Sequence, residues 1–585
     1  MGNLKNELLS MENHNSLFER EIRKLPVPVC SSFIKDGKIV PSSFKMTDTK
    51  LGTKDAEEVN KQFAKSVSNS GNKILEAVQG DVKVSGLRVA VLFSGGPAAG
   101  GHNVVVGLKK ALGKNNTLLG TIAGPKGLLE GKFFEITDEA ISKIINTGGF
   151  DFLGSDRTKI KTDEQFNTVK KVVKENKLDG IVVIGGDDSN TNAAVLAELL
   201  YDDGVKVIGV PKTIDGDLQV GDILPISFGY DTATKIYSEM VGNILQDTPS
   251  SRKYWHFIKL MGRSASHVAI EVALQTKPAV ALISEEVLAK KMSLSQIVNQ
   301  IADVVAKRAS KGINHGVVLI PEGLIEFIPE MRDMINELNE AIAKYSADLD
   351  ELTIDRKKDF IYKKLSAESA KLLASLPDDI EQMLLLERDS HGNLPVSQIP
   401  TESLLIQMVE EKLSQMKRHS DQLNHIKMTD EEKERFKKSK FSTLRHFFGY
   451  EGRCGAPTLF DAAYTLNLGL VAGSLLLDGR TGYIASITDL DKGGKAMGIP
   501  LTGLINIERR HGQDEMVIEK ALVELDSAAF KFYEERRKVW AEEDRFASPG
   551  PRQLWGPVAK QLPYTVALNR GLQSLAFDLG EDITL

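Results

Sequence analysis

Six short apolar runs between Leu87 and Leu324 constrain the fold more than any other feature: LRVAVLF, GIVVIGG, VKVIGVP, WHFIKLMG, AVALIS and GVVLIPEG. Each ends on a glycine or polar turn and gives way to a helical period. Near-continuous apolar strands alternating with helices predict an α/β fold with doubly wound parallel sheets covered on both faces. Ligands of such sheets sit beyond the carboxyl ends of the strands, so the residues after each run are the ones to compare.

The 585 residues allow three to five domains. Glycine marks one boundary. Of 49 in the chain, only Gly392 falls between Met331 and Lys440, where apolar residues recur every three or four positions. That stretch reads as a helical insert. The expected domains are an N-terminal extension (1–80), an α/β domain (81–250), a second α/β domain (251–330 with 441–504), the insert (331–440) and a C-terminal helical region (505–585). The extension reads either as a surface clamp or as a partly mobile arm. In the last region VIEKALVELDSAAFKFYEERRKVWAEEDRF predicts one long helix.

A net charge of −6 argues against nucleic-acid partners. No uninterrupted apolar run reaches the ~18 residues of a membrane span. The nearest, Leu466 to Leu477, is broken by Asn467 and two glycines. The first residues show no signal-peptide pattern, and Asn6 argues against myristoylation at Gly2. Two cysteines, Cys30 and Cys454, suit a reducing compartment. A soluble cytoplasmic protein is expected.

The turn after LRVAVLF is SGGPAAGGHN, which matches neither the Walker nor the Rossmann spacing. By itself it could be an ordinary tight turn, or a place where backbone N–H groups meet an anion. GGDDSN sets Asp187 and Asp188 side by side. One could cap a helix and the other face solvent, or Asp187 could hold Mg²⁺. PKTIDGDL packs Lys212, Thr213, Asp215 and Asp217 into six residues, which could form a surface turn or set an acid able to accept a hydroxyl proton beside a compact cation, the catalytic candidate. MGRSASH adds Arg263 and PEG adds Glu322. The lone histidines His102, His267 and His446 are better read as capping or packing groups.

SGGPAAGGHN, GGDDSNTNAA, PKTIDGDL, MGRSASH, PEG and YEGR, in this order, resemble the phosphofructokinases, and within them the long, pyrophosphate-dependent 6-phosphofructokinases. The resemblance covers Leu87 to Leu324 and resumes from Phe441 to about Leu504. It implies two similar domains facing across a cleft and Mg²⁺-dependent, reversible phosphoryl transfer from pyrophosphate to O1 of fructose 6-phosphate. Asp215 is then the base, with Asp217 and Arg263 in the catalytic set, and Asp187 holds the metal. Gly95 and Gly96 cradle pyrophosphate, while Lys212 and Arg263 offset charge. The sugar phosphate falls to Thr213, Ile214, Asp215, Met261, Gly262, Arg263, Glu322, Tyr450, Glu451, Gly452 and Arg453. Lys253 and Tyr254 would complete a neighbour's site in a homodimer.

ATP-dependent relatives have GGDGS and usually a glycine before TID, so Asp188 and Lys212 would set the donor. At ~4 Å and an effective dielectric of ~20, Asp188 would repel an ATP phosphate by about 4 kcal/mol. Asp156 departs from the small residue common in the family. The alternatives are an ATP-dependent sugar kinase, a lipid or NAD kinase using the GGD turn, and a non-catalytic regulatory subunit. Asp187 and Asp215, both present, argue against the last.

Overall fold

The computed structural model describes residues 16–80, 82–345, 349, 353–386, 399–420, 423–510, 513–556, 561–576 and 581–583. Gly2, Asn6 and Gly392 lie outside them. The chain divides into two compact units. The first comprises Met1–Ile236, Tyr450–Ala521 and Arg552–Leu585, and the second Tyr237–Gly449 and Leu522–Pro551. The stretch 441–504, expected in one domain, is therefore split after Gly449. Residues 505–521 join the first unit, and 522–551 the second.

Both units are α/β with a parallel sheet at the centre. In the first, Tyr483–Thr488, Lys206–Pro211, Gly180–Gly185, Arg88–Ser94 and Thr117–Thr121 run parallel in that spatial order. Their side chains alternate between two buried faces. Ala90, Leu92, Ile181 and Val183 pack with the helices Asp163–Glu175 and Asp187–Leu199. Gly180, on the other face, meets Leu476 of the helix Leu459–Leu477.

That helix is the one described helix long and apolar enough to cross a membrane, and all of it is buried within the unit. It extends seven residues before Leu466 because Thr458 caps it by accepting the Asp461 N–H at 3.2 Å. It crosses the helix Gly101–Leu112 at Gly107, where an added side-chain carbon would lie 2.0 Å from the Leu466 carbonyl. The crossing fixes the helix that leaves the glycine turn after Arg88–Ser94.

Within the N-terminal segment, the described residues from Ser16 onward include strands that join the first unit's sheet. Ser43–Lys50 and Lys73–Val78 extend the sheet as antiparallel strands beyond Lys495–Pro500. Val27–Val29 pairs with Glu581–Ile583 near the other end of the chain.

The second unit holds a four-stranded parallel sheet in the order Val280–Ala281, Gly316–Pro321, Trp255–Leu260, Thr443–Phe448. The insert completes this unit's core. Met331, Met334, Leu373, Leu404 and Phe436 pack in one cluster with Trp255 and Phe257. Lys259 is buried 3.3 Å from Glu402 of the insert helix Thr401–Arg418, and also donates to the Ile399 carbonyl at 3.2 Å.

The long C-terminal helix is shorter than its sequence suggests. Gln513–Ile518 is a strand paired with Ile505–Arg510, because the β-branched Val517 and Ile518 fill buried sheet positions. The helix begins only at Ala528, where Ser527 accepts the Phe530 N–H at 3.3 Å, and runs to Glu543.

Candidate active site

In the first unit three turns at adjacent strand ends carry the predicted donor residues. Asp187 and Asp188 open the helix Asp187–Leu199, so both carboxylates stand in its first turn, where the helix dipole favours negative charge. Lys212 follows Lys206–Pro211; its backbone N–H donates to the Gly185 carbonyl at 2.9 Å, tying this turn to the acid-bearing one. Lys212 Nζ also stands 3.7 Å from the side-chain position of Gly95.

Two more cations stand near Gly96. A side-chain carbon there would lie 2.6 Å from Arg453 Nη2 and 3.8 Å from Arg157 Nη2. Arg453, expected on the sugar phosphate, is thus placed over the glycine turn. Its guanidinium carbon is 5.2 Å from the centre of the Tyr450 ring, which is 72% exposed. Three positive side chains thus stand at a turn whose amides can meet an anion, and Gly96 is what admits Arg453.

Burial pushes the Lys212 ammonium down to about 8, with Asp215 acting in the opposite sense and Arg453 adding to the fall. Burial also pushes the Asp217 carboxyl up to about 7, and Asp215 adds to the rise. Asp215 itself is half-buried. Its N–H donates to Thr213 Oγ1 at 3.1 Å, and Ser227 Oγ donates to the Thr213 carbonyl at 3.0 Å, fixing the turn. Ile214, between them, is buried.

The sequence gives no warning of Lys520. Its Nζ stands 3.8 Å from Asp187 Oδ2 and 3.9 Å from Asp217 Oδ2. Lys159 likewise lies 3.8 Å from Asp188 Oδ1 and 3.2 Å from Glu515 Oε2. Lys520 and Glu515 lie just after and on the hairpin Ile505–Ile518, roughly 300 positions or more from Asp187, Asp217 and Lys159. No motif marks them.

Asp188 is 58% exposed on its side chain. Solvent and Lys159 therefore screen it, and its repulsion of a phosphate falls toward the ~1 kcal/mol of charges in water. Asp156 is occupied locally. Its carboxylate accepts the Lys126 N–H at 3.1 Å, the Thr158 N–H at 3.0 Å and the Thr158 hydroxyl at 2.7 Å. It shapes the turn that carries Arg157.

Magnesium needs only one or two carboxylates when a phosphate chain and water supply the rest. Among the described residues no cluster of three or more acids, histidines or cysteines could hold a metal by itself. Asp187 and Asp217 nevertheless face one point, where Lys520 already places a positive charge. The donor set fits a metal that arrives with its phosphates.

In the second unit Gly262 N–H donates to Glu322 Oε2 at 3.0 Å, so the MGR and PEG turns are joined through the buried Glu322. Met261 lies beneath Gly449, its Cε 2.8 Å from that glycine's side-chain position. Arg263 is exposed. Lys253 Nζ stands 5.0 Å from the centre of the Tyr254 ring. Glu451 is exposed and Gly452 buried, in the first unit.

His102 and His446 are engaged within the fold. His102 is fully buried with Nδ1 3.2 Å from Thr147 Oγ1, and its Nε2 accepts the Phe152 N–H at 3.3 Å. His446 Nε2 lies 2.9 Å from His256 Nδ1.

A family model described as Phosphofructokinase matches residues 88–356. The protein of Treponema pallidum named pyrophosphate–fructose 6-phosphate 1-phosphotransferase is 48% identical over 83% of this chain and 84% of its own length. The one of that name in Entamoeba histolytica is 48% identical over 80% of this chain and 84% of its own. Subunit beta of the enzyme so named in Solanum tuberosum is 45% identical over 92% of both chains. Identity of this extent, spanning both units, establishes that the chain belongs to the phosphofructokinase family.

Proposed function

We propose that this chain transfers a phosphoryl group reversibly from inorganic pyrophosphate to O1 of fructose 6-phosphate, giving fructose 1,6-bisphosphate and phosphate. The observation that carries the reading is the buried Lys212, set among Asp187, Asp215 and Asp217 against the glycine turn. A buried ammonium beside backbone donors suits a compact, highly charged donor.

O1 attacks the transferred phosphorus, the bond to the leaving phosphate breaks, and the O1 proton passes to a carboxylate. Asp215 takes that proton, being the open member of the TIDGD pair, whereas Asp217 is buried. Such a base contributes about 10²- to 10⁴-fold. Lys212, Arg453 and Arg157 hold the leaving phosphate at the glycine turn. Asp187, with Asp217 facing the same point, holds Mg²⁺, which offsets charge on the donor oxygens. In the second unit Met261, Gly262, Arg263 and Glu322 recognise the sugar phosphate; Glu322, which holds the Gly262 N–H, recognises a sugar hydroxyl. Asp188 and Lys212 favour pyrophosphate over ATP.

The protein works as a homodimer in the cytoplasm, with Lys253 and Tyr254 completing a neighbour's sugar site. Cys30 and Cys454 are free thiols, which suits that compartment. A non-catalytic subunit is disfavoured because the whole acid set is retained. The test runs the reaction backwards: fructose 1,6-bisphosphate, phosphate and Mg²⁺ should yield pyrophosphate and fructose 6-phosphate. A folded protein producing neither would refute the assignment.

A further inference from the structure

Lys520 stands at the point toward which Asp187 and Asp217 converge, 3.8 and 3.9 Å from their Oδ2 atoms. These are ion-pair distances, too long for hydrogen bonds. The residues around Lys520 are anchored to both acids. Ile518 N–H donates to Thr191 Oγ1 at 3.0 Å, and that hydroxyl donates to the Asp187 carbonyl at 2.9 Å. On the other side, Ala521 N–H donates to the Asp217 carbonyl at 2.8 Å. A backbone tied to one acid two residues before Lys520 and to the other one residue after it keeps the lysine beside the pair. The side chain itself is 30% exposed, against 16% for Asp187 and 6% for Asp217. It lies on the open side of the acids and can withdraw into solvent.

We propose that Lys520 is a tethered cation that holds the Asp187–Asp217 pair in the donor-free protein and must yield this place when a divalent cation binds, so that it sets the affinity for that cation. The proposal rests on the reading of Asp187 and Asp217 as the metal-holding acids. Two positive charges cannot share one carboxylate pair cheaply, and the backbone ties keep the lysine present at high local concentration. A free divalent cation therefore meets a built-in competitor. A cation delivered with pyrophosphate does not meet it on equal terms, because the displaced ammonium can then turn to the donor's oxygens. Lys520 is a positioning residue in this account. Its effect is to make metal binding depend on the donor.

The test is Mn²⁺ binding to the donor-free full chain, read by the electron paramagnetic resonance signal of free Mn²⁺. Lys520→Met should bind Mn²⁺ roughly tenfold or more tightly than the wild type. Lys520→Arg, keeping the charge, should stay within about twofold of it. The gain should vanish when Asp187→Asn is added. Lys520→Met binding no tighter, or a gain that survives Asp187→Asn, overturns the proposal.

A wild-type measurement guards against a variant that fails to fold. Mn²⁺ should raise the rate at which acetic anhydride modifies Lys520 several-fold relative to the exposed Lys143, and an unchanged ratio overturns the proposal. Pyrophosphate turnover measured on the same wild-type sample separates the two levels. Turnover with no Mn²⁺ effect at Lys520 defeats this inference alone, whereas absent turnover defeats the proposed function.

Discussion

Arg453 Nη2 lies 2.6 Å from the point where a side-chain carbon on Gly96 would stand. The glycine is therefore what admits the guanidinium to the turn after Arg88–Ser94. A methyl group there has to push Arg453 aside. Because the obstacle is the tip of a flexible side chain rather than backbone, Gly96→Ala should change Tm by only a degree or two. The loss should appear in kcat/KM for pyrophosphate, by about tenfold to a hundredfold, the value of a charge-assisted contact to phosphate. An unchanged kcat/KM would remove Arg453 from the donor site.

Asp217 sets a pH-dependent cost. Its carboxyl is raised by burial and by Asp215 from an ordinary value of 3.8 to about 7. Between these pH values the native state keeps a proton that the unfolded chain has lost. The native state thus binds more protons, wild-type stability falls as pH rises through this window, and the full cost is present above about pH 7. Asp217→Asn has no such proton. Its stability advantage over the wild type should grow from pH 4 to 7, by on the order of 2 to 4 kcal/mol, and then level off. Thermal unfolding of both proteins at pH 5 and pH 8 checks this; equal differences at the two pH values would contradict it.

The insert is fastened to the second unit's sheet by a buried ion pair. Glu402→Ala leaves the buried Lys259 beside the Ile399 carbonyl, 3.2 Å away, and the Phe447 ring, 4.9 Å away, without its carboxylate partner. Breaking such a pair costs about 3 to 5 kcal/mol. Urea unfolding should show that loss, and the pair Lys259→Met with Glu402→Leu should recover much of it.

Donor choice is divided unequally between its two candidate residues. Asp188 is exposed and screened by Lys159, whereas Lys212 is buried. Asp188→Gly alone should improve ATP use by no more than about tenfold, the worth of an exposed charge. Asp188→Gly with Lys212→Gly should improve it further and should weaken pyrophosphate binding at least as much. Initial rates with each donor decide; no gain with ATP in the double variant would show that the two residues do not select the donor.

The site was legible where its chemistry is local. All six apolar runs are strands, and their turns hold Asp187, Lys212, Asp215 and Glu322 where a doubly wound sheet exposes a ligand. A glycine beside an acid after a β-branched run can be read from adjacent residues alone. Lys520, Lys159 and Glu515 could not be read in this way, because their partners are fixed by how a distant hairpin lies on the sheet. Ser43–Lys50 is illegible for another reason: an edge strand with mostly exposed positions carries little apolar alternation. The start of the C-terminal helix is ambiguous in the sequence because VIEKALVEL fits a helical period as well as a strand followed by a loop, and only pairing with Ile505–Arg510 decides between them.

The central claim is that the acid-and-lysine cluster around Lys212 moves phosphoryl groups from pyrophosphate to a sugar phosphate. Its most direct test follows fructose 1,6-bisphosphate formation from fructose 6-phosphate and Mg²⁺ by ³¹P NMR, with pyrophosphate or ATP as donor, for the wild type and Asp215→Asn. The account predicts product with pyrophosphate, little with ATP, and a rate about 10²- to 10⁴-fold lower in a folded Asp215→Asn. Equal or greater product with ATP, or an Asp215→Asn rate matching the wild type, would contradict it.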